Sequence, residues 1–283
     1  MLLDVDGVLI DVRASFREAV RETVVRVARV LGRPDPWRPT PEDIGALKAA
    51  GGFNDDIDVS IALTAVSLAR READFRKLCT NLDVAGGGLS ALRTVAPDLP
   101  RVPGADVLAT FLDLYWGPRE SARLRGLDDA ASRPETPRLI DAEVMFTDAA
   151  LPARLREAGA TTVGVISGRT PRELNTALDK LGWARGDLQA IVTGDIARKP
   201  DPVCVDLALA GYATARAVYV GDVRDDWELV RRHRAERSRP AMRSVIVGSA
   251  EEVAPLRALG CDATIAAVDD LPALLRAWGE PGQ

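Results

Sequence analysis

The 283 residues include one histidine, three cysteines and four lysines, and each scarcity removes a class of chemistry. His233 stands in an arginine-rich stretch, so a Ser-His-Asp relay has no credible base. Cys79, Cys204 and Cys261 are odd in number and far apart, which fits neither a disulfide framework nor a zinc ligand set. Net positive charge is missing too. At a formal charge of -5 there is no electrostatic case for nucleic acid or an anionic membrane as partner. No apolar run approaches the roughly 18 residues of a spanning helix. An acid at position 4 breaks the basic-then-apolar layout of a signal peptide, so a soluble cytoplasmic protein is expected. A Walker loop, a dinucleotide-binding glycine fingerprint and HExxH are all absent. Of the 37 Lys+Arg only Lys48, Lys77, Lys180 and Lys199 are lysine, so a lysine at a chemically sensible place is informative. Hydrophobic residues make up 47% and charged residues 28%, enough for one large globular domain or two modest ones.

What is present begins at once, in Leu2-Leu3-Asp4-Val5-Asp6-Gly7. Residues two apart on a strand share a side, so Asp4 and Asp6 are expected to face one volume at a strand tip, with Gly7 turning the backbone behind them. On these residues alone an acidic turn, a calcium loop and a strand tip built for a cation all remain open.

From residue 13 to about 140 the pattern is helical and lacks strand alternation. Helices are expected over 14–31, after Thr40-Pro41-Glu42, over 57–79 and over 105–114, with breaks at Gly51-Gly52 and Gly86-Gly87-Gly88. After about Glu143 short apolar runs alternate with helical stretches. Strands are expected at 161–166, 188–192, 217–220, 244–247 and 263–265, and helices at 151–158, 171–181, 202–210, 225–236, 251–259 and 271–278. That alternation implies an α/β fold with a Rossmann-like parallel sheet. The opening strand has no partner in the helical stretch and is expected to join this sheet. The expected domains are an α/β core of 1–12 and 141–283, and a helical insert of 13–140. The run Arg231-Arg232-His233-Arg234, with Arg237, Arg239 and Arg243, reads better as a solvated helix end than as a polyanion site.

Ligands of parallel α/β sheets sit beyond the carboxyl ends of the strands. There the sequence delivers Asp4 and Asp6, then Ser167-Gly168-Arg169, then Arg198-Lys199-Pro200, then Gly221-Asp222-Val223-Arg224-Asp225-Asp226. The set Asp4-x-Asp6-Gly7, Ser167, Lys199-Pro200 and Gly221-Asp222-x-x-x-Asp226 resembles the four signature motifs of the haloacid dehalogenase superfamily, in order and spacing. The insert resembles that superfamily's alpha-helical cap. Only three residues precede Asp4, which makes the first strand short for this pattern.

The resemblance implies a Mg²⁺-dependent phosphatase acting on a small phosphorylated metabolite. Phosphate monoester hydrolysis needs acceleration of up to ~10²¹, whereas one preorganised donor supplies roughly 3–4 kcal/mol, so several groups must converge. By resemblance Asp4 is the nucleophile, forming an aspartyl-phosphate, and Asp6 is the general acid and then base. Mg²⁺ would be held by Asp4, the Asp6 backbone carbonyl and Asp222, with Asp226 holding a metal-bound water and Asp225 competing for that role. Ser167, Gly168, Arg169 and Lys199 would meet phosphate or substrate, and Lys199 would also restrain Asp4. An acid at position 6 favours phosphoryl transfer over dehalogenation, since a halide leaving group needs no proton. The insert is expected to act as a lid, with Asn54 in the loop 51–56 reading substrate. A helix-helix turn capped by its own polar residues is the competing reading of that loop. A second candidate reader is Tyr115-Trp116-Gly117-Pro118-Arg119. The loop resembles that of helical-cap phosphatases, some of them associated with histidine biosynthesis, which implies a small polyol or amino-alcohol phosphate. A phosphomutase and a non-catalytic binding protein are the alternatives.

Overall fold

The shortest strand holds the central place in the sheet. The structure, a computed structural model, describes residues 1–279. β1 (Leu2–Leu3) has only two residues, but both are fully buried and both pair in parallel with a neighbour on each side. The chain then turns into β2 (Ile10–Asp11) and enters seven helices: α1 (Phe16–Val30), α2 (Pro41–Ala49), α3 (Asp56–Leu68), α4 (Phe75–Val84), α5 (Gly88–Val95), α6 (Gly104–Tyr115) and α7 (Pro118–Leu124). β3 (Val144–Met145) returns antiparallel to β2. Alternation follows: α8 (Leu151–Glu157), β4 (Gly164–Ile166), α9 (Pro171–Leu181), β5 (Ala190–Val192), α10 (Val203–Ala208), β6 (Arg216–Gly221), α11 (Arg224–Glu236), β7 (Ala241–Val247), α12 (Ala250–Ala258), β8 (Ala263–Ile265) and α13 (Leu271–Gly279).

Among the described residues the parallel sheet runs β5-β4-β1-β6-β7-β8. Leu2, Ile166, Val192, Tyr219 and Met242 of the strands pack with Cys204 and Val205 of α10 and with Leu229 and Val230 of α11. Val253 and Leu256 of α12 cover Ile246 in a second cluster. This is the expected α/β arrangement, and it carries the carboxyl ends of β1, β4, β5 and β6 to one edge. No helix among the described residues is long and apolar enough to cross a membrane.

The chain divides into two compact units, Met1–Asp11 with Val144–Gln283, and Val12–Glu143. The later boundary falls beyond the expected residue 140 because Ile140 is buried and Glu143 accepts a hydrogen bond from the Tyr115 hydroxyl at 2.8 Å, both within the helical unit. The expected helix over 57–79 is two helices. α3 ends with Arg70 in the left-handed region (φ 53°), where the Arg71 N–H reaches the Val66 carbonyl at 3.2 Å. That end usually takes glycine, so the sequence carries no visible stop there. The glycine triplet does break the chain, but α5 starts at its last residue, and neither α5 nor α7 is among the expected helices.

Candidate active site

The carboxyl ends of β1, β5 and β6 meet in a buried charge network. Asp4 extends the β1–β6 ladder, its N–H donating to the Val220 carbonyl at 2.9 Å. Its Oδ2 accepts from Lys199 Nζ at 2.6 Å, and the same ammonium donates to Asp226 Oδ1 at 2.7 Å. All three residues are buried. Burial pushes the Asp4 carboxyl up to about 7; Lys199 opposes the shift, while Asp226 and Asp6 add to it. Burial alone would depress Lys199, but Asp226 and Asp4 outweigh it and hold the ammonium well above its ordinary value. The lysine that the sequence marks as informative is the cation that joins the acid at the end of β1 to the acid in the first turn of α11.

Asp226 has four hydrogen-bond partners within the protein. Oδ1 lies 2.7 Å from Lys199 Nζ and 3.0 Å from Tyr219 Oη, and Oδ2 accepts the N–H groups of Asp222 and Val223 at 3.0 and 3.1 Å. The carboxylate therefore fixes the first turn of α11 and, with it, the backbone of Asp222. Oxygens of Asp4, Asp222 and Asp226 lie within 4.8 Å of one another. Three hard oxygen donors set against one ammonium fit a divalent cation of the magnesium or calcium class. The Asp6 carboxylate is not among the three, and Asp225 is buried on the same turn.

Two glycines make this approach possible. Gly7 has φ +75°, and a Cβ there would lie 2.0 Å from Asp222 Oδ2. A Cβ on Gly221 would lie 2.2 Å from Asp226 Cβ.

At the end of β4, Ser167 is buried and its Oγ accepts from the Arg169 N–H at 3.2 Å. Gly168 is exposed. The Gly194 N–H donates to the Arg169 carbonyl at 3.0 Å, so the loops after β4 and β5 are tied backbone to backbone. The Arg169 guanidinium is turned to Asp6, with Nε 2.8 Å and Nη2 2.7 Å from Asp6 Oδ1. Asp4 and Asp6 thus have different partners, Lys199 and Arg169.

In the helical unit the loop 51–56 is a built turn. Phe53 is buried, Asp55 accepts from the Ile57 N–H at 2.9 Å as the cap of α3, and Lys48 pairs with Asp56 at 2.8 Å. Gly87 packs so closely that a Cβ would meet the Gly51 carbonyl oxygen at 1.8 Å. The capped helix-helix turn is therefore what the loop forms, with Asn54 half-buried on it. Tyr115 and Trp116 belong to this unit's interior: the Tyr115 ring stacks on Phe16 at 4.3 Å and abuts Trp116 at 5.4 Å.

Sequence reasoning missed Tyr219. Its phenol is held well above its ordinary value by burial and by Asp226. A hydroxyl in the apolar run 217–220, three residues before Asp222, is the signal that could have found it.

Phosphatase Tt82 from Thermococcus thioreducens is similar to this chain, with 27% identity, coverage of 87% of this chain and 92% of that one, and a TM-score of 0.62. A protein assigned as a phosphoglycolate phosphatase from Lactobacillus delbrueckii subsp. bulgaricus shares the fold at 15% identity, covering 97% and 96% with a TM-score of 0.54. So does a conserved haloacid dehalogenase-like protein of unknown function from Agrobacterium tumefaciens, at 16% identity, 99% and 98% coverage and a TM-score of 0.50. No curated protein matches the sequence. The model of the haloacid dehalogenase-like hydrolases matches residues 1–229, and the chain belongs to that family.

Proposed function

We propose that this hydrolase is a Mg²⁺-dependent phosphatase of a small phosphorylated metabolite, working through an aspartyl-phosphate at Asp4. The observation that carries the reading is Lys199 bridging Asp4 and Asp226 beside Asp222, a nucleophilic carboxylate held next to a fixed cation. The similarity to Phosphatase Tt82 supports it. Mg²⁺, held by Asp4, Asp222 and the Asp6 carbonyl, would neutralise phosphate charge and draw the Asp4 carboxyl back toward its ionised form.

Asp4 attacks phosphorus, the P–O bond to the alcohol breaks, and Asp6 gives its proton to the departing oxygen. Asp6 then takes a proton from water, which attacks phosphorus and frees Asp4 and inorganic phosphate. Lys199 restrains Asp4 during attack and offsets phosphate charge. Ser167 accepts from the Arg169 N–H, which orients its own hydrogen for a phosphate oxygen, and the exposed Gly168 lets phosphate approach the backbone. Asp226 holds Asp222 and Lys199 in place through its four protein partners.

Phosphate release from phosphorylated sugars, polyols, amino alcohols and nucleotides tests this, run with Mg²⁺, with EDTA and with Asp4→Asn. Metal-dependent release lost in Asp4→Asn is the expected result. A phosphorylated isomer accumulating without free phosphate would make the protein a mutase instead.

A further inference from the structure

The Arg169 side chain has no exposure at all, 0% against 31% for its partner Asp6. Its guanidinium is engaged by the protein on three nitrogens: Nε and Nη2 converge on Asp6 Oδ1, and Nη1 donates to the Glu173 carbonyl at 3.3 Å. Its backbone is clamped as well, between Ser167 Oγ and the Gly194 N–H. The first turn of α9, which supplies the Glu173 carbonyl, is itself fixed by a reciprocal Thr170–Glu173 cap. A guanidinium built into the fold in this way is not arranged to receive a phosphate.

Asp6, by contrast, lies on a turn. Its backbone forms an isolated bridge to Ile10, and Gly7 behind it is in the left-handed region. A half-exposed carboxyl on a turn samples several rotamers unless something holds it, and an ångström of misplacement costs rate steeply. We propose that Arg169 is the positioning residue for Asp6 rather than a ligand of the substrate phosphate. Two donors on one oxygen fix the plane of the carboxyl group. This role rests on the phosphatase reading above, in which Asp6 handles the proton of the leaving alcohol.

A leaving-group comparison tests the proposal. The kcat/KM of a phosphatase reports steps up to loss of the alcohol. In Arg169→Met it should fall about 100-fold for a primary alkyl phosphate, which needs the proton, and less than about 10-fold for p-nitrophenyl phosphate, which does not. Inhibition by inorganic phosphate should stay within about threefold of the parent protein, by the same reasoning that separates binding from chemistry. In an Asp6→Asn background the further substitution should cost under about threefold, since residues acting as a unit are not additive. Arg169→Lys, measured if the methionine variant fails to fold, should show the same selectivity with a smaller loss, because one ammonium cannot reproduce the fork. Equal losses on both substrates with a matching weakening of phosphate inhibition would overturn the proposal and make Arg169 a phosphate ligand. Turnover that survives Asp4→Asn would instead overturn the phosphatase reading, and with it the proton-transfer role of Asp6.

Discussion

Two ion-paired acids, two residues apart in sequence, are treated differently by this fold. Asp4 ends in a closed network with Lys199, Asp226 and Tyr219, all buried, whereas the Asp6 carboxylate keeps 31% of its surface open beside Arg169. The difference follows from local backbone. Asp4 continues a strand inside the sheet, so its side chain enters the protein; Asp6 has left the ladder and sits on the turn that Gly7 closes. It also matches the tasks proposed for them. A nucleophile gains from being held still, while a group that passes protons to an alcohol and from water must keep a route to both.

Removing one cation from each pair should separate the two sites most widely. Lys199→Met leaves two buried carboxylates without their cation and should cost about 3–5 kcal/mol in chemical denaturation, as broken buried pairs do. Arg169→Met should cost clearly less, because Asp6 can be rehydrated; equal costs would erase the contrast. Gly7→Ala comes next. A left-handed alanine costs about 1–2 kcal/mol before its Cβ meets the Asp222 carboxylate, so both denaturation midpoint and turnover should drop. Tyr219→Phe removes one donor from Asp226 and should cost about 1.5–3 kcal/mol, a test of how far the closed network depends on each partner.

The smallest effect lies away from both sites. His233 is fully buried, neither ring nitrogen has a hydrogen-bond partner, and burial lowers its pKa. The folded state therefore keeps it neutral, while the unfolded chain binds a proton below about pH 6.5. Stability should fall as pH drops through that value, by up to about 1.4 kcal/mol per pH unit. His233→Leu should flatten that part of the stability curve while leaving turnover at neutral pH unchanged; an unchanged slope would show that other groups carry it.

Much of the fold and the site is legible in the residues. The strand ends stand out because polar motifs follow short apolar runs, and Pro171–Leu181 is readable to the residue from its Thr-Pro-x-Glu start and glycine stop. The Lys199 bridge is foreseeable as a restraint on Asp4, though only the fold brings Asp226 to the same ammonium. The direction of Arg169 is not readable, because an arginine after a strand can face ligand or protein with no change of pattern. Arg70 hides a helix end by adopting a conformation that sequence associates with glycine, and the docking of Gly51 against Gly87 is a tertiary fact with no local signature.

The most direct test of the central claim is to look for the phosphoryl group on the enzyme. With Mg²⁺ and a turned-over phosphate monoester, acid-quenched protein should yield a phosphorylated N-terminal peptide with the group on Asp4, and none in Asp4→Asn. Turnover with no phosphorylated peptide, or with the group on another residue, would contradict the account.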